Sequence, residues 1–358
     1  MSHHLTSLFH SFDRGVLSRR QLLQALGVAA VARPASAFAQ GQCGGDRKGT
    51  PECNTTPAKA PFAPTGWKTV LLDHLSCQVA DYPKEAAYYA ALMNWKIRSD
   101  DGKQAVLDIG DWGGLVIRGG YQAPPPPPAA TQAGAGRGGP RAPRHAAFDG
   151  FCWGIDQWDT AKVEAGLKAR GLNPVAEHRG DFQSFHVKDP AGFNLQISNG
   201  NRQNRRQSPA AGKTSAPAPF ASTAWTTVWL DHISFEASNY KETVAFYAAL
   251  LGWTPGEDEG SQSQCRIGDI GDIIIRRGAL PAAGAPPRPT SIGHISFGIT
   301  PFDPDQVKAE LEKRGLNARE DTGGRGDIHT APYKSYHTTT PNGYDLQISA
   351  TTRATRDA

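Results

Sequence analysis

The sequence predicts an α+β protein built from four βαβββ modules arranged as two tandem repeats. Two observations carry this. The chain duplicates itself: Trp67-Lys68-Thr69-Val70-Leu71-Leu72-Asp73-His74-Leu75-Ser76 returns as Trp225-Thr226-Thr227-Val228-Trp229-Leu230-Asp231-His232-Ile233-Ser234. Each repeat also reads as strand, helix and several short strands, followed by the same order again, as the apolar period switches between about 2 and about 3.6 residues.

The second repeat gives the elements most clearly. Residues 227–237 alternate and are rich in β-formers. Ser238 or Asn239 then caps a helix whose apolar face is Tyr240, Val244, Tyr247, Ala248 and Leu251. Short strands are expected over 264–267 and 272–276, followed by a Pro/Ala/Gly loop over 280–289 and a strand over 294–299. Asp303 and Pro304 start a second helix with Val307 and Leu311 inward, and Gly315 ends it. Strands over 335–339 and 344–349 complete the unit. In the first repeat, Val163, Leu167 and Gly171 hold the equivalent helix positions.

The repeats span residues 61–198 and 219–351, joined by an Asn/Arg/Ser/Pro/Ala-rich linker over 199–218. The first carries a Pro- and Gly-rich insert over 122–144, expected to be disordered or polyproline-like; the second has an insertion around Gly323-Gly324-Arg325-Gly326-Asp327. Residues 1–39 read as a twin-arginine signal peptide: Ser18-Arg19-Arg20-Gln21-Leu22-Leu23, a short apolar run, and Ala37-Phe38-Ala39 as a cleavage site. The expected location is therefore periplasmic or secreted, with the twin-arginine translocase as export partner. A flexible leader over 40–60 follows, where Cys43 and Cys53 could pair. Cys77, Cys152 and Cys265 lie in apolar stretches and read as buried thiols.

The formal charge is +4, and most of it sits in the signal segment, where Arg14, Arg19, Arg20 and Arg33 face only Asp13. The near-neutral remainder argues against a nucleic-acid or anionic-membrane surface.

Beyond the core pattern, histidines and a glutamine repeat. His74, His178, His186 and Gln196 return as His232, His329, His337 and Gln347, while His294 matches Gly150 and has no counterpart. Paired βαβββ modules, the Asp-His-Ile strand, the Leu251-Gly252-Trp253 helix end and the closing Thr340-Pro341-Asn342-Gly343…Gln347 resemble the vicinal oxygen chelate superfamily. That group includes glyoxalase I, bleomycin-resistance proteins and type I extradiol dioxygenases, and the resemblance covers both repeats. It implies that each pair of modules curls into a cup, and that a divalent metal (Fe, Mn, Zn or Ni) sits on the inner face.

By position, the resemblance makes His232, His294 and Gln347 the metal ligands, with His329 and His337 as catalytic acid/base or orienting groups. His74, His178, His186 and Gln196 are weaker counterparts in the first cup, which lacks the second imidazole; Trp153 is expected to fill the vacant space there. Gln347 departs from the usual Glu, and His337 stands where extradiol enzymes carry Tyr. The implied function is a metal-dependent glyoxalase- or dioxygenase-like enzyme acting on a small molecule with vicinal oxygens. The competing reading is a metal-free protein that binds or sequesters such a molecule. Fused repeats supply within one chain the pairing that smaller members achieve by dimerising, so a monomer suffices. Arg118 and Arg276 recur near Asp111 and Asp269, which suggests an ion pair in each repeat or an anion clamp at the cup rim.

Replacing Arg19 and Arg20 together by Lys should stop export, read as loss of the processed protein from the periplasmic fraction. Unchanged processing would contradict the signal assignment.

Overall fold

A computed structural model describes residues 55–122, 144–204, 216–278, 290–321 and 335–352. The readings on the signal peptide, Cys43, Cys53, the insert over 123–143, the linker over 205–215, the loop over 279–289, the Gly-rich insertion and His329 lie outside these residues.

Each repeat forms one mixed sheet of eight strands. The first contains β1 (Thr69–Val79), β2 (Lys96–Asp100), β3 (Gln104–Ile109), β4 (Gly113–Arg118), β5 (Ala146–Ile155), β6 (Val175–Arg179), β7 (Phe182–Lys188) and β8 (Asn194–Ser198). Their spatial order is β2-β3-β4-β1-β5-β8-β7-β6. The second contains β9 (Thr226–Ala237), β10 (Thr254–Asp258), β11 (Gln262–Ile267), β12 (Gly271–Arg277), β13 (Ser291–Thr300), β14 (Arg319–Glu320), β15 (Tyr336–Thr339) and β16 (Asp345–Ser349), in the equivalent order. Helices α1 (Tyr82–Leu92), α2 (Thr160–Lys168), α3 (Tyr240–Leu251) and α4 (Pro304–Lys313) follow the first strand of each module. This is the expected α+β arrangement of four βαβββ modules. Two modules meet at an antiparallel seam, β1 with β5 and β9 with β13, and each seam strand is parallel to the last strand of its own module.

The helix signals work largely as read. Asp303 accepts from Gln306 N at the start of α4, Val307 and Leu311 are buried, and Gly315 has a φ of 70°. Helix α3 differs from the expected single stripe: Thr243, Phe246, Leu250 and Ala249 are buried, whereas Val244 and Ala248 are only half-buried. The helix packs on its own sheet and also against the segment before β1, where Phe62 meets Phe246 edge-to-face, so its apolar face is wider than one period predicts. Strands β10 and β14 escaped the pattern because they close the sheet edges and carry Pro255, Gly256 and charged residues rather than an apolar face.

The two repeats dock through a pseudo-symmetric exchange of hydrogen bonds. Trp95 Nε1 donates to Thr227 Oγ1 at 2.8 Å, and Trp253 Nε1 donates to Thr69 Oγ1 at 2.9 Å. Thr65 N and Thr223 N each donate to a carbonyl at the end of the other repeat's helix, Ala249 O and Ala91 O. Tyr89 stacks on Trp95 and Tyr247 on Trp253, all buried. Such partnered indoles let large aromatic area be buried without orphaning the N–H. Gly252 ends α3 at a φ of 68°, close against the backbone of Trp67, where Cβ would have no room.

Trp153 belongs to this inter-repeat core, edge-to-face with Trp253 at 5.4 Å and fully buried. It therefore does not fill the first cup. Strand alternation puts Cys152 and Gly150 on the cup face and turns Phe151 and Trp153 away.

One dock residue titrates unusually. Burial pushes the Asp189 carboxyl up to about 6, against hydrogen bonds donated by Phe193 N, Tyr247 OH and Ala191 N that act the other way. A carboxyl raised in the fold favours folding most at low pH. Stability should therefore fall by up to about 3 kcal/mol as pH rises from about 4 to about 6, then level off. Asp189→Asn should flatten that slope in thermal melts; an unchanged slope would contradict it.

Candidate functional site

Register across the second sheet sets the site. Ser296 on β13 is the cross-strand neighbour of His232 on β9 and of Gln347 on β16, and Gln347 is in turn the neighbour of His337 on β15. In the adjoining row, His294 lies between Ser234 and Asp345. Cross-strand neighbours share a face, so these polar side chains line one side while Ile233, Ile295, Phe297, Leu346 and Ile348 are buried on the other.

The imidazoles converge. His232 Nε2 and His294 Nε2 are 2.9 Å apart, and the rings of His294 and His337 meet edge-to-face at 5.0 Å. His232 is buried and His294 and His337 half-buried. Asp231 sits in a β-bulge, skipped by the β9–β13 register, and its Oδ2 lies 2.9 Å from His232 Nδ1. Accepting from Nδ1–H, it fixes the ring and leaves the neutral imidazole's lone pair on Nε2, toward His294. The same bulge recurs at Asp73, 2.7 Å from His74 Nδ1.

His337 is held in the same manner. Its Nδ1 lies 3.0 Å from Asp345 Oδ1, which also accepts from Arg319 Nη2 at 2.7 Å. Burial acts to raise the Asp345 carboxyl, but hydrogen bonds and charge from His337 and Arg319 outweigh it and hold the group below its usual range. Gln347, 1% exposed, donates through Nε2 to Asp321 Oδ2 at 2.9 Å and to Ser335 Oγ at 2.7 Å. Its Oε1 is buried and has no hydrogen-bond partner among the described residues.

These donors fit a divalent cation. Two nitrogens bound to one ion at about 2.0–2.1 Å, at roughly a right angle, stand about 3 Å apart, close to the observed His232–His294 spacing. The Gln347 amide oxygen, buried without a partner among the described residues on the last strand of the same sheet, is available as a third donor. Two imidazoles and one oxygen leave further positions for substrate and water.

The first sheet repeats the row, with His74, Cys152, Gln196 and His186 as successive cross-strand neighbours, and lacks the imidazole of the adjoining row, where Gly150 stands for His294. Cys77, Cys152 and Cys265 are all buried free thiols. Asp73, His74 and Cys152 offer ligand atoms within 4.8 Å of one another, but the Asp73 carboxylate is already engaged with the imidazole. At Gly150, where the other sheet carries His294, a Cβ would meet Asn194 Nδ2 at 2.9 Å, so the asparagine occupies that space. The cup is a polar cavity of about 190 Å³ lined by His74, Arg118, Glu177, His186, Asn194 and Gln196, among others.

His178 stands apart from this group. It is exposed on β6 and meets Phe185 edge-to-face at 6.0 Å, while its neighbour Glu177 binds His186 Nε2 at 2.8 Å and Gln196 Nε2 at 3.1 Å. Arg118 pairs with Asp149, Arg276 reaches Ser234 Oγ and Gln262 Oε1, and Asp111 faces Arg202.

Sequence reasoning missed Asp321, Glu177, Asp345 and Arg319. Pairing the two copies from Leu172-Asn173 and Leu316-Asn317 puts Glu177 opposite Asp321. The Gly-rich insertion just after Asp321 hides this, because matching histidines back from the C-terminus sets His178 against His329 instead.

No family profile and no curated protein matches the chain. Among solved structures, a Mn(II)-bound glyoxalase from Novosphingobium aromaticivorans is similar at a TM-score of 0.53 and 15% identity, covering 80% of this chain and 83% of its own. The 2,3-dioxygenase LapB from Pseudomonas sp. KL28 is similar at 0.53 and 15%, covering 79% and 93%. A variant of homoprotocatechuate 2,3-dioxygenase from Brevibacterium fuscum gives 0.52 and 16%, covering 83% and 74%.

Asp345→Asn removes the charge that holds His337 and Arg319. It should lower stability at neutral pH by about 1–2 kcal/mol. Because the folded carboxyl is depressed, that difference should persist above the ordinary carboxylate range and vanish as pH falls through the lower folded value. Denaturant melts at pH 7 and pH 3 with equal differences would contradict this.

Proposed function

We propose that this chain, which has the tandem-domain fold of the vicinal oxygen chelate superfamily, is an exported, divalent-metal-dependent enzyme. It acts on a small molecule with vicinal oxygens in the second cup. The observation that carries this reading is the approach of His232 Nε2 and His294 Nε2 to 2.9 Å on the sheet face that also bears Gln347, whose buried Oε1 has no hydrogen-bond partner among the described residues. His232, His294 and Gln347 would hold the ion, one of Fe, Mn, Zn or Ni. When bound, it would act as a Lewis acid toward substrate oxygens and favour negative charge developing on them.

The chain's own groups do the rest. Asp231 keeps His232 in one tautomer. His337, with Nδ1–H held by Asp345, presents Nε2 as the acid/base group. His329, assigned an acid/base role from the sequence, is proposed as a second such group. Arg276, anchored on Ser234 and Gln262, brings positive charge beside the row that contains His294. The glyoxalase-like and dioxygenase-like alternatives share this ligand set. A second reading, a metal-free binder, draws support from the neutral Gln347 and from the polar cavity of the first cup.

Isothermal titration of the full mature chain with Mn(II) tests the proposal. One equivalent is expected to bind, with affinity falling at least about 100-fold in His232→Ala and in His294→Ala, and unchanged in His74→Ala. Absence of binding, or dependence on His74 instead, would support the metal-free reading.

A further inference from the structure

The sequence leaves a chemical difficulty at the second cup: a His-His-Gln set carries no negative charge, so a divalent ion there keeps its full charge. The structure contains a carboxylate one hydrogen bond away. Asp321 Oδ2 accepts from Gln347 Nε2 at 2.9 Å, and Ser335 Oγ accepts from the same nitrogen at 2.7 Å. Ser335 Oγ also lies 3.5 Å from Asp321 Oδ2, and His337 Nε2 lies 3.9 Å from it.

An ionised carboxylate can only accept, so it determines which end of the amide it faces. The two N–H donors of Gln347 are used by Asp321 and Ser335, and the amide cannot flip without setting Oε1 against the carboxylate. Oε1 is thereby turned elsewhere and is left buried without a partner among the described residues. Hydrogen bonding to an ionised acceptor is also charge-assisted, and it polarises the amide toward a more negative oxygen.

The first cup repeats the device. Gln196 Nε2 donates to Ser184 Oγ at 2.7 Å and to Glu177 Oε2 at 3.1 Å. Glu177 faces Ser184 in the β6–β7 register, and Asp321 N bonds Ser335 O in the corresponding place. Two copies that have lost most sequence likeness here keep glutamine, serine and carboxylate together, although one uses Glu and the other Asp.

We propose that Asp321 is a positioning residue for the second cup. It locks Gln347 with Oε1 toward His232 and His294, and it supplies from behind the amide the negative charge that a carboxylate ligand would bring directly. This rests on the metal-binding reading above. The ligand group is thus a Gln–Asp pair acting as a carboxylate set back by one hydrogen bond. Arrangements that orient a ligand in this way alter metal affinity by about 10- to 100-fold when removed.

The test uses Mn(II) alone as probe on the full mature chain, read by titration calorimetry and by the electron paramagnetic resonance signal of bound Mn(II), with thermal melts to verify folding. Asp321→Leu should weaken binding by at least about 10-fold and broaden the bound-ion spectrum. Asp321→Asn, which keeps an acceptor but loses the charge, should fall in between. The double variant Asp321→Asn with Gln347→Glu exchanges carboxylate and amide at constant charge and should restore wild-type affinity or exceed it. A folded Asp321→Leu protein with wild-type affinity and spectrum, or a folded exchange variant no better than Asp321→Asn, would overturn the assignment while leaving the ligand set intact. If the wild-type chain binds no Mn(II), the metal reading and this inference both fail.

Discussion

The register of β13 between β9 and β16 is the constraint on which the second cup depends. Because Ser296 neighbours both His232 and Gln347, three strands from two modules contribute to one row on one face. A shift of one residue in either pairing would turn His232 or Gln347 into the apolar layer and bring Ile233 or Leu346 to the cup. The buried aliphatic residues on the far face oppose such a slip, so the packing that stabilises the sheet also aligns the donors. Of the irregularities in the two seams, the bulges that skip Asp73 and Asp231 each place a carboxylate beside the imidazole that follows it.

The two cups then diverge through few residues. Gly150 for His294, Asn194 for Asp345 and Cys152 for Ser296 convert a cluster of three imidazoles into a polar cavity with His74 and His186. Asn194 takes the space beside Gly150 that corresponds to the His294 ring in the second sheet. The inter-repeat dock, by contrast, keeps matched Trp–Thr bonds in both directions. Symmetry persists where the repeats support one another and breaks where the cups face outward.

The fold was legible because repetition and apolar period report the core directly. The family resemblance singled out His232, His294 and Gln347 by position, and the register sets them on one face of the second sheet. The partners that orient them were not legible. Asp321 lies before an insertion that breaks the match between copies, and Asp345 reads in sequence as one polar residue in an alternating strand. Trp153 misled because the pattern gives the alternation of a strand but not which face is the cup. His178 misled because it shares the spacing of the repeated histidines while standing one residue from the position that faces inward.

Anomalous diffraction from a crystal of the mature chain soaked in Mn(II) would test the central claim most directly. A single strong peak in contact with His232 Nε2, His294 Nε2 and Gln347 Oε1, with none in the first cup, is the predicted result. A peak beside His74 and Cys152, or none at the His232–His294 pair, would contradict it.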